Sequence, residues 1–362
     1  SLDPTNSSNP WALTTHGISE YVYMLDKDGN STSRFIDKLE QVDDLTWKGS
    51  LKEGVKFSDG SDVDSEAFVK AMNTIQEKNE LSNASCGKME FKVVDKTSFE
   101  VKTQRQTNIL QAVLGEWSNV VFKDLGDDKY VFTGPYMVKE LIPDTTLTLV
   151  PNPYYENYQD RPNVTIKVFK DVNSLKLAFE GKEVDLAFPI STDSKDSLIK
   201  AGKIVKSIDA GYQYFSFVNT QNDKLSDIKV RKALDLGLNR QDYIDALKGG
   251  RIADGTFASY YQFAGGIKLV YNVEEANKLL DEAGWIKGSD GIRVKDNEKL
   301  SLTLVTYPSR PDLTIIMQIM VSQLKDLGIE TTTQIQDNPN GVLKSGEYDL
   351  LLYAQHTAPT GE

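Results

Sequence analysis

A strand–helix–strand pattern in the last third of the chain constrains the fold more than any other feature. Residues 300–304 alternate between apolar and polar side chains, as in a strand, and residues 311–327 carry apolar side chains at helical spacing. Pro311 suits the first turn of that helix, and Gly328 suits its end. Residues 329–335 predict a second strand. This alternation is typical of an α/β lobe.

A shorter pattern of the same kind lies near the middle of the chain. Residues 164–169 alternate as a strand, and apolar residues within 175–179 predict a short helix. Residues 184–188 predict a buried strand, so the three segments favour a parallel, right-handed crossover. The polar stretch Asn219–Asp227 lies between the two patterns, and we predict the lobe boundary there.

Length and charge narrow the class of protein. The 362 residues correspond to two to three domains at roughly 150 residues each. The 41 Lys and Arg residues against 53 Asp and Glu residues give a formal charge of −12, which argues against binding nucleic acid or anionic lipid. The single cysteine, Cys86, excludes an internal disulfide and multi-cysteine metal sites. No run of 18 apolar residues predicts a transmembrane helix.

The residues needed for common catalytic sites are scarce. Only two histidines occur, His16 and His356, so most histidine-dependent chemistry must use one of them. The chain has no G-x-S-x-G, no H-E-x-x-H, no P-loop and no paired cysteine motif. We therefore predict no catalytic residues and no enzyme. An extracellular hydrolase is a remote alternative, because an acidic chain can contain an unrecognised carboxylate pair.

Five motifs, in order along nearly the whole chain, resemble those of the peptide/nickel class of ABC-transporter solute-binding proteins. They are Leu51–Gly60 (LKEGVKFSDG), Phe132–Tyr136 (FTGPY), Asn152–Tyr155 (NPYY), Ile228–Leu234 (IKVRKAL) followed by Asn239 and Arg240, and Glu275–Trp285 (EANKLLDEAGW). Phe132 stands where the family usually has glycine.

The resemblance implies an α/β fold of the two-lobed, hinged, type II periplasmic-binding-protein class, with an extra small α+β domain in lobe I. We expect residues 1–33 and 133–222 to form the core of lobe I and residues 34–132 to form the extra domain. Residues 223–362 are expected to form lobe II. Relative to the family, we expect the chain to lack a strand before Ser1 and the C-terminal part of lobe II.

Three segments resemble, more narrowly, the nickel- and metallophore-binding branch. They are His16–Glu20 (HGISE), Tyr307–Leu313 (YPSRPDL) and Tyr353–Gly361 (YAQHTAPTG). This resemblance implies His16 and His356 as metal donors, and imidazole suits Ni²⁺. It also implies Arg310 as a bidentate clamp on a ligand carboxylate. Two imidazoles cannot fill a nickel coordination sphere, so a chelator such as free histidine or an opine-type metallophore would supply the other donors.

Further residues are candidates for contacting a ligand, each with a structural alternative. The candidates are Arg105, Thr357 and the aromatic residues Tyr21, Tyr23, Trp117, Tyr212 and Tyr214. Aromatic residues in strands belong more often to a core than to a binding site. A single histidine is likewise more often structural than a metal ligand.

These observations lead to one expected function and one close alternative. We expect an extracytoplasmic receptor, either periplasmic or a cell-surface lipoprotein, that acts as a monomer without a covalent cofactor. It would capture a nickel or other transition-metal chelate between its lobes and deliver it to a membrane ABC permease. The alternative is an oligopeptide receptor of the same fold, whose binding would rely on backbone pairing.

Overall fold

The computed structural model describes residues 1–25, 30–207, 212–253, 255 and 266–356. Packing divides the chain into two units, Ser1–Ala187 and a second unit that begins at Phe188. Each unit has its own apolar core. The division lies upstream of the polar stretch Asn219–Asp227, where the sequence predicts the lobe boundary. The three-part domain assignment stays a prediction.

The first unit contains short helices and mostly antiparallel strands. Its helices are α1 (Asn9–Thr15), α2 (Ser65–Lys78), α3 (Leu110–Leu114) and α4 (Val172–Glu180), with 3₁₀ turns at Glu80–Asn83 and Tyr158–Asp160. Its strands are β1 (Met24–Leu25), β2 (Ser31–Thr32), β3 (Ile36–Gln41), β4 (Thr46–Leu51), β5 (Met89–Val93), β6 (Ser98–Thr103), β7 (Phe122–Gly126), β8 (Lys129–Phe132), β9 (Tyr136–Ile142), β10 (Thr146–Pro151) and β11 (Val164–Lys167).

A four-stranded antiparallel sheet in the order β3-β4-β6-β5 packs under α2. Asp64 caps α2 by accepting the N–H of Ala67 at 2.9 Å. The Phe68 ring lies 4.9 Å from the ring of Phe99 in this core. Gly49 of β4 faces Phe99, and an added Cβ would lie 2.2 Å from that ring, so only glycine fits.

The other strands of the first unit form β11-β10-β9, β7-β8 and β1-β2, all antiparallel. The predicted crossover over residues 164–188 is therefore wrong. Strand β11 pairs antiparallel with β10, and residues 184–188 form no strand. Leu186 and Phe188 are 76% and 77% exposed, so this apolar run has no sheet neighbour within the described residues.

The second unit alternates helices and strands. Its helices are α5 (Thr192–Lys200), α6 (Asp223–Ser226), α7 (Ile228–Gly237), α8 (Arg240–Leu247), α9 (Val273–Glu282), α10 (Pro311–Asp326) and α11 (Pro339–Ser345). Its strands are β12 (Tyr212–Val218), β13 (Ile286–Lys287), β14 (Arg293–Lys295), β15 (Glu298–Lys299), β16 (Ser301–Thr306), β17 (Glu330–Ile335) and β18 (Leu350–His356).

A mixed sheet in the order β12-β18-β16-β17 organises the second unit. Strand β16 pairs parallel with both β17 and β18, which confirms the strand–helix–strand prediction for the last third of the chain. Helix α10 begins at Pro311 and buries Leu313, Met317 and Leu324, among others, against the sheet. After α10 the chain turns at Gly328, whose φ of +83° favours glycine.

A buried arginine joins several elements of the second unit. Arg293 of β14 is 1% exposed, and its Nε donates to the Leu327 carbonyl at 2.7 Å. Its guanidinium also donates to Asn277 Oδ1, Asp281 Oδ1 and the Trp285 carbonyl. These contacts satisfy a charge that would otherwise be costly to bury. In the described part of the chain, no helix has the length and apolar character needed to span a membrane.

Candidate functional site

Three strand ends, those of β16, β17 and β18, and one strand start meet at one edge of the mixed sheet in the second unit. The parallel strands β16 and β18 both end at this edge, because they run in the same direction. Strand β12 runs antiparallel to β18 and therefore begins there, where Tyr212 pairs with His356. The carboxyl ends of parallel strands are a common location for ligand groups.

Arg310 lies in the loop that leaves β16 and is the last residue before α10. Its guanidinium carbon is 4.3 Å from the centroid of the Tyr212 ring, within the range of a cation–π interaction. Arg310 is half-buried, and among the described residues no carboxylate forms an ion pair with it. The guanidinium edge has the geometry to hold a planar carboxylate through two hydrogen bonds.

Tyr214 stands two residues further along β12, on the same face of the strand as Tyr212. Its hydroxyl donates to Oδ2 of Asp312 at 3.1 Å. Burial, followed by the charge of Asp312, raises the pKa of Tyr214 to about 12. Tyr214 therefore stays protonated at physiological pH and holds the carboxylate of Asp312 in place.

Tyr307 supports the same edge from the end of β16. Its ring is 7% exposed, and its hydroxyl accepts the N–H of Ala354 in β18 at 3.1 Å. Burial raises the pKa of Tyr307. The Tyr307 ring also lies 5.5 Å from the ring of Tyr353. Tyr307 thus links the end of β16, which leads into the loop of Arg310, to β18, which contains the backbone of His356.

The structure therefore brings together four of the predicted site residues, Arg310, Tyr212, Tyr214 and the strand position of His356. The backbone of His356 belongs to β18, and Thr357 lies outside the described residues. The assignments of Arg310, Tyr214 and Thr357 as ligand contacts and of His356 as a metal donor stay predictions.

His16 ends α1 in the first unit. Its ring is half-buried, and Nδ1 lies 2.6 Å from the carbonyl oxygen of Ala12, so Nδ1–H donates to that carbonyl. In a neutral ring, this hydrogen bond selects the tautomer with the proton on Nδ1 and leaves the lone pair on Nε2. The same arrangement orients metal-bound histidines. It is also what a surface histidine bonded to its own backbone would show, so the metal role of His16 stays a prediction.

Three of the aromatic candidates, Tyr21, Tyr23 and Trp117, belong to the first unit. Tyr21 forms an isolated antiparallel bridge with Val120, and Trp117 is half-buried. Tyr23 is 8% exposed and belongs to the apolar core, and burial raises its pKa to about 12. The structure places Tyr23 where the core alternative requires it; ligand contact by these three residues stays a prediction.

Arg105 is exposed and follows β6. Its Nη2 donates to the carbonyl oxygens of Ala84 at 2.8 Å and of Ser85 at 3.0 Å. Arg105 therefore links the strand end to the 84–85 turn, and its predicted contact with a ligand remains a prediction.

Sequence reasoning did not single out one ionic cluster in the first unit. Arg34 donates to Glu20 through Nε at 2.8 Å and Nη2 at 3.0 Å, and the Tyr155 hydroxyl donates to Glu20 Oε1 at 2.8 Å. Burial, followed by the charge of Glu20, raises the pKa of Tyr155 to about 12. Glu20 and Tyr155 lie in motifs that carry the family resemblance, whereas Arg34 lies in none of those motifs.

Among the described residues, no group of three or more His, Cys, Asp or Glu side chains is placed so that it could hold a metal ion.

Comparison with known proteins gives consistent matches. Residues 35–361 match the family model of the bacterial extracellular solute-binding proteins, family 5 Middle. The oligopeptide-binding protein AppA of Bacillus subtilis is 28% identical over 354 residues, which are 88% of this chain and 63% of AppA. The chain thus spans less than two thirds of the length of that relative.

Two solved structures show the same fold. NikA from Brucella suis, in complex with Fe(III)-EDTA, aligns with a TM-score of 0.84 at 22% identity, covering 95% of this chain and 74% of that one. NikA from Staphylococcus aureus, in complex with Ni(L-His)2, aligns with a TM-score of 0.74 at 21% identity, covering 96% and 74%.

Proposed function

The chain belongs to family 5 of the bacterial extracellular solute-binding proteins, and from this premise we propose that it is the receptor of an ABC importer for a nickel chelate. The chelator in this proposal is a small molecule with a carboxylate, such as free histidine or an opine-type metallophore. Members of the family bind solutes outside the cytoplasm and are receptors; that this chain catalyses no reaction is part of the proposal.

One observation carries the choice of a chelate. Arg310 is held against Tyr212 at the sheet edge where Tyr212 pairs with His356. A cation that suits a carboxylate therefore lies against the residue that pairs with one of the two histidines. A metal chelate of an amino acid offers both chemistries, because it has a carboxylate and a metal ion that imidazole can bind.

The solved relatives support the same choice. The NikA structure from Staphylococcus aureus holds Ni(L-His)2, and the NikA structure from Brucella suis holds Fe(III)-EDTA. Both ligands combine a metal ion with carboxylates. At 21% and 22% identity these structures show the fold, and the ligand comes to this chain only as a proposal.

In this proposal nickel is cargo and the protein has no resident cofactor. The chelate is released to a membrane permease, and the receptor acts as a monomer that is periplasmic or anchored to the cell surface by lipid. His356 and His16 are the proposed metal donors, and Arg310 is the proposed carboxylate clamp.

Native mass spectrometry tests the proposal. The protein is titrated with Ni²⁺ in the presence and in the absence of free L-histidine. We expect an added mass equal to nickel plus histidine. A protein that shows no nickel adduct and instead retains peptides from the expression host would contradict the nickel proposal.

The substitution His356→Ala tests the metal donor. We expect loss of the nickel–histidine adduct, because an imidazole donor would be removed. Gln355→Ala is the matched control, since Gln355 is the preceding residue of β18 and has no imidazole. Unchanged chelate affinity in His356→Ala would remove this residue from the site.

An oligopeptide receptor is the second candidate. AppA is 28% identical over 354 residues, which is the specific observation in its favour. If the protein is an oligopeptide receptor, substitution of either His16 or His356 should leave its affinity for peptides unchanged.

A further inference from the structure

We infer that Tyr212 is the residue that positions Arg310. The ring of Tyr212 with the guanidinium of Arg310 against it, which we call the platform, makes the second unit selective for ligands with a carboxylate. The inference rests on the proposed function and deepens it. It assigns the selectivity for carboxylate to an aromatic ring that need not touch the ligand.

The geometry of the Arg310 guanidinium supports this inference. The Tyr212 ring supports one face of Arg310, with 4.3 Å between the guanidinium carbon and the ring centroid. Tyr212 is 37% exposed, so the contact lies near the surface of the sheet edge. A guanidinium held by its face keeps its N–H groups directed outward in its own plane, and two of them can then bind one carboxylate.

The backbone at Arg310 is restricted by the proline that follows it. Arg310 has φ −127° and ψ 85°, and Pro311 follows it at the start of α10. Proline restricts the residue before it to extended conformations. The side chain of Arg310 therefore leaves a constrained point of the chain, and within the described residues the ring of Tyr212 contacts its guanidinium.

The nearest acidic residue of α10 is bound to another side chain and not to Arg310. Asp312 lies two residues after Arg310 and would be a natural partner for its charge. The Tyr214 hydroxyl donates to Asp312 Oδ2 at 3.1 Å, and no ion pair joins Asp312 to Arg310. Neighbouring tyrosines of β12 thus have different tasks, since Tyr214 holds the carboxylate and Tyr212 holds the cation.

Two chelates that differ in one group test the selectivity. Binding of Ni²⁺ with L-histidine is compared with binding of Ni²⁺ with L-histidinamide, which lacks the carboxylate. We expect Tyr212→Leu to weaken the histidine complex about three- to thirtyfold, the range of a partly exposed cation–π contact. The histidinamide complex should change less than about twofold, and Tyr212→Phe should restore wild-type affinity because it keeps the ring.

Phe215→Leu is the matched control. Phe215 is also in β12, but its ring packs on Phe217 at 5.0 Å and on Tyr353 at 6.1 Å. The Phe215→Leu substitution removes an aromatic ring from the same strand but removes no contact of Arg310. The ratio of the affinities for the histidine and histidinamide complexes should therefore keep its wild-type value. Equal losses for both chelates in Tyr212→Leu, or a lower ratio in Phe215→Leu, would overturn the inference.

A measurement without ligand separates this inference from the proposed function. The Nε–H proton of Arg310, assigned in NMR spectra through Arg310→Lys, should be shifted upfield by the ring of Tyr212. The shift should persist in Tyr212→Phe and disappear in Tyr212→Leu. If neither chelate binds the wild-type protein, the proposed function fails, and an unshifted Arg310 signal overturns the platform on its own.

Discussion

Asp59 illustrates how single contacts set the behaviour of a residue. It lies in the turn of the Leu51–Gly60 motif, and Lys123 Nζ is 2.6 Å from its Oδ2. The Ser61 hydroxyl donates a hydrogen bond to Asp59 and accepts one from Lys123. Partial burial by itself raises the pKa of Asp59, but the hydrogen bonds of Lys123 and Ser61 and the charge of Lys123 outweigh it and lower the pKa to about 2.

This lowered pKa predicts an acid-dependent contribution to stability. The folded-state pKa of about 2 lies below the ordinary value of 3.8, so the contribution is complete above about pH 4 and is lost as the pH falls toward 2. Asp59→Asn should therefore destabilise the protein at pH 6, and the difference from wild type should shrink at pH 3. Urea unfolding at both pH values measures this. Asp127→Asn, in another turn, is the control, and a pH-independent difference for Asp59→Asn would refute the argument.

At the scale of single residues, the sequence named candidates whose contacts with a ligand stay predictions. Arg310 and Tyr214 were named from sequence, and the structure places them at one sheet edge. The Glu20–Arg34–Tyr155 cluster was missed as a cluster, because Glu20 and Tyr155 are 135 positions apart and only the fold brings them together.

At the scale of elements, Arg293 ties together the ends of α9 and α10 and the strand β14. Its guanidinium is buried and donates to four groups on these segments and on Trp285. Removing a buried, fully bonded charge leaves its partners unsatisfied, and such losses are large.

Arg293→Met should lower the free energy of unfolding by about 1–3 kcal/mol, because the buried carbonyl groups of Leu327 and Trp285 lose their donor. Arg251→Met is the control, because Arg251 is exposed and exposed substitutions usually cost under about 0.5 kcal/mol. Chemical denaturation followed by tryptophan fluorescence measures both. Similar costs for the two variants would show that the Arg293 network does not stabilise the second unit.

The elements also show which sequence patterns were informative. The helix over 311–327 was predicted well, because its apolar period is long and proline and glycine mark its ends. Residues 184–188 were predicted wrongly as a strand. A run of five residues has no period of its own to distinguish a buried strand from an exposed extended segment.

At the scale of the whole molecule, the described residues form two separate apolar cores. Composition alone placed the boundary at a polar stretch, whereas packing places the division between Ala187 and Phe188. The reason is strand pairing. Strand β12 pairs with β18 over its whole length, and no local sequence property of β12 reports that partner.

Two cores predict that damage to one unit stays in that unit. Arg293→Met should accelerate amide hydrogen exchange in β16 and β18 and leave β4 and β6 unchanged. Gly49→Ala should do the reverse, because its Cβ would collide with the ring of Phe99. Hydrogen exchange with mass spectrometry measures both variants. Equal acceleration in both units would mean that they unfold as one cooperative body.

We propose that Arg310 binds the carboxylate of a nickel chelate. Isothermal titration of Ni²⁺ with L-histidine into wild type and Arg310→Gln tests this claim. We predict saturable binding by wild type and at least about tenfold weaker binding by Arg310→Gln, because a charged hydrogen-bonded contact contributes about 1.5–3 kcal/mol. Equal affinities, or no binding of the chelate by the wild-type protein, would contradict the claim.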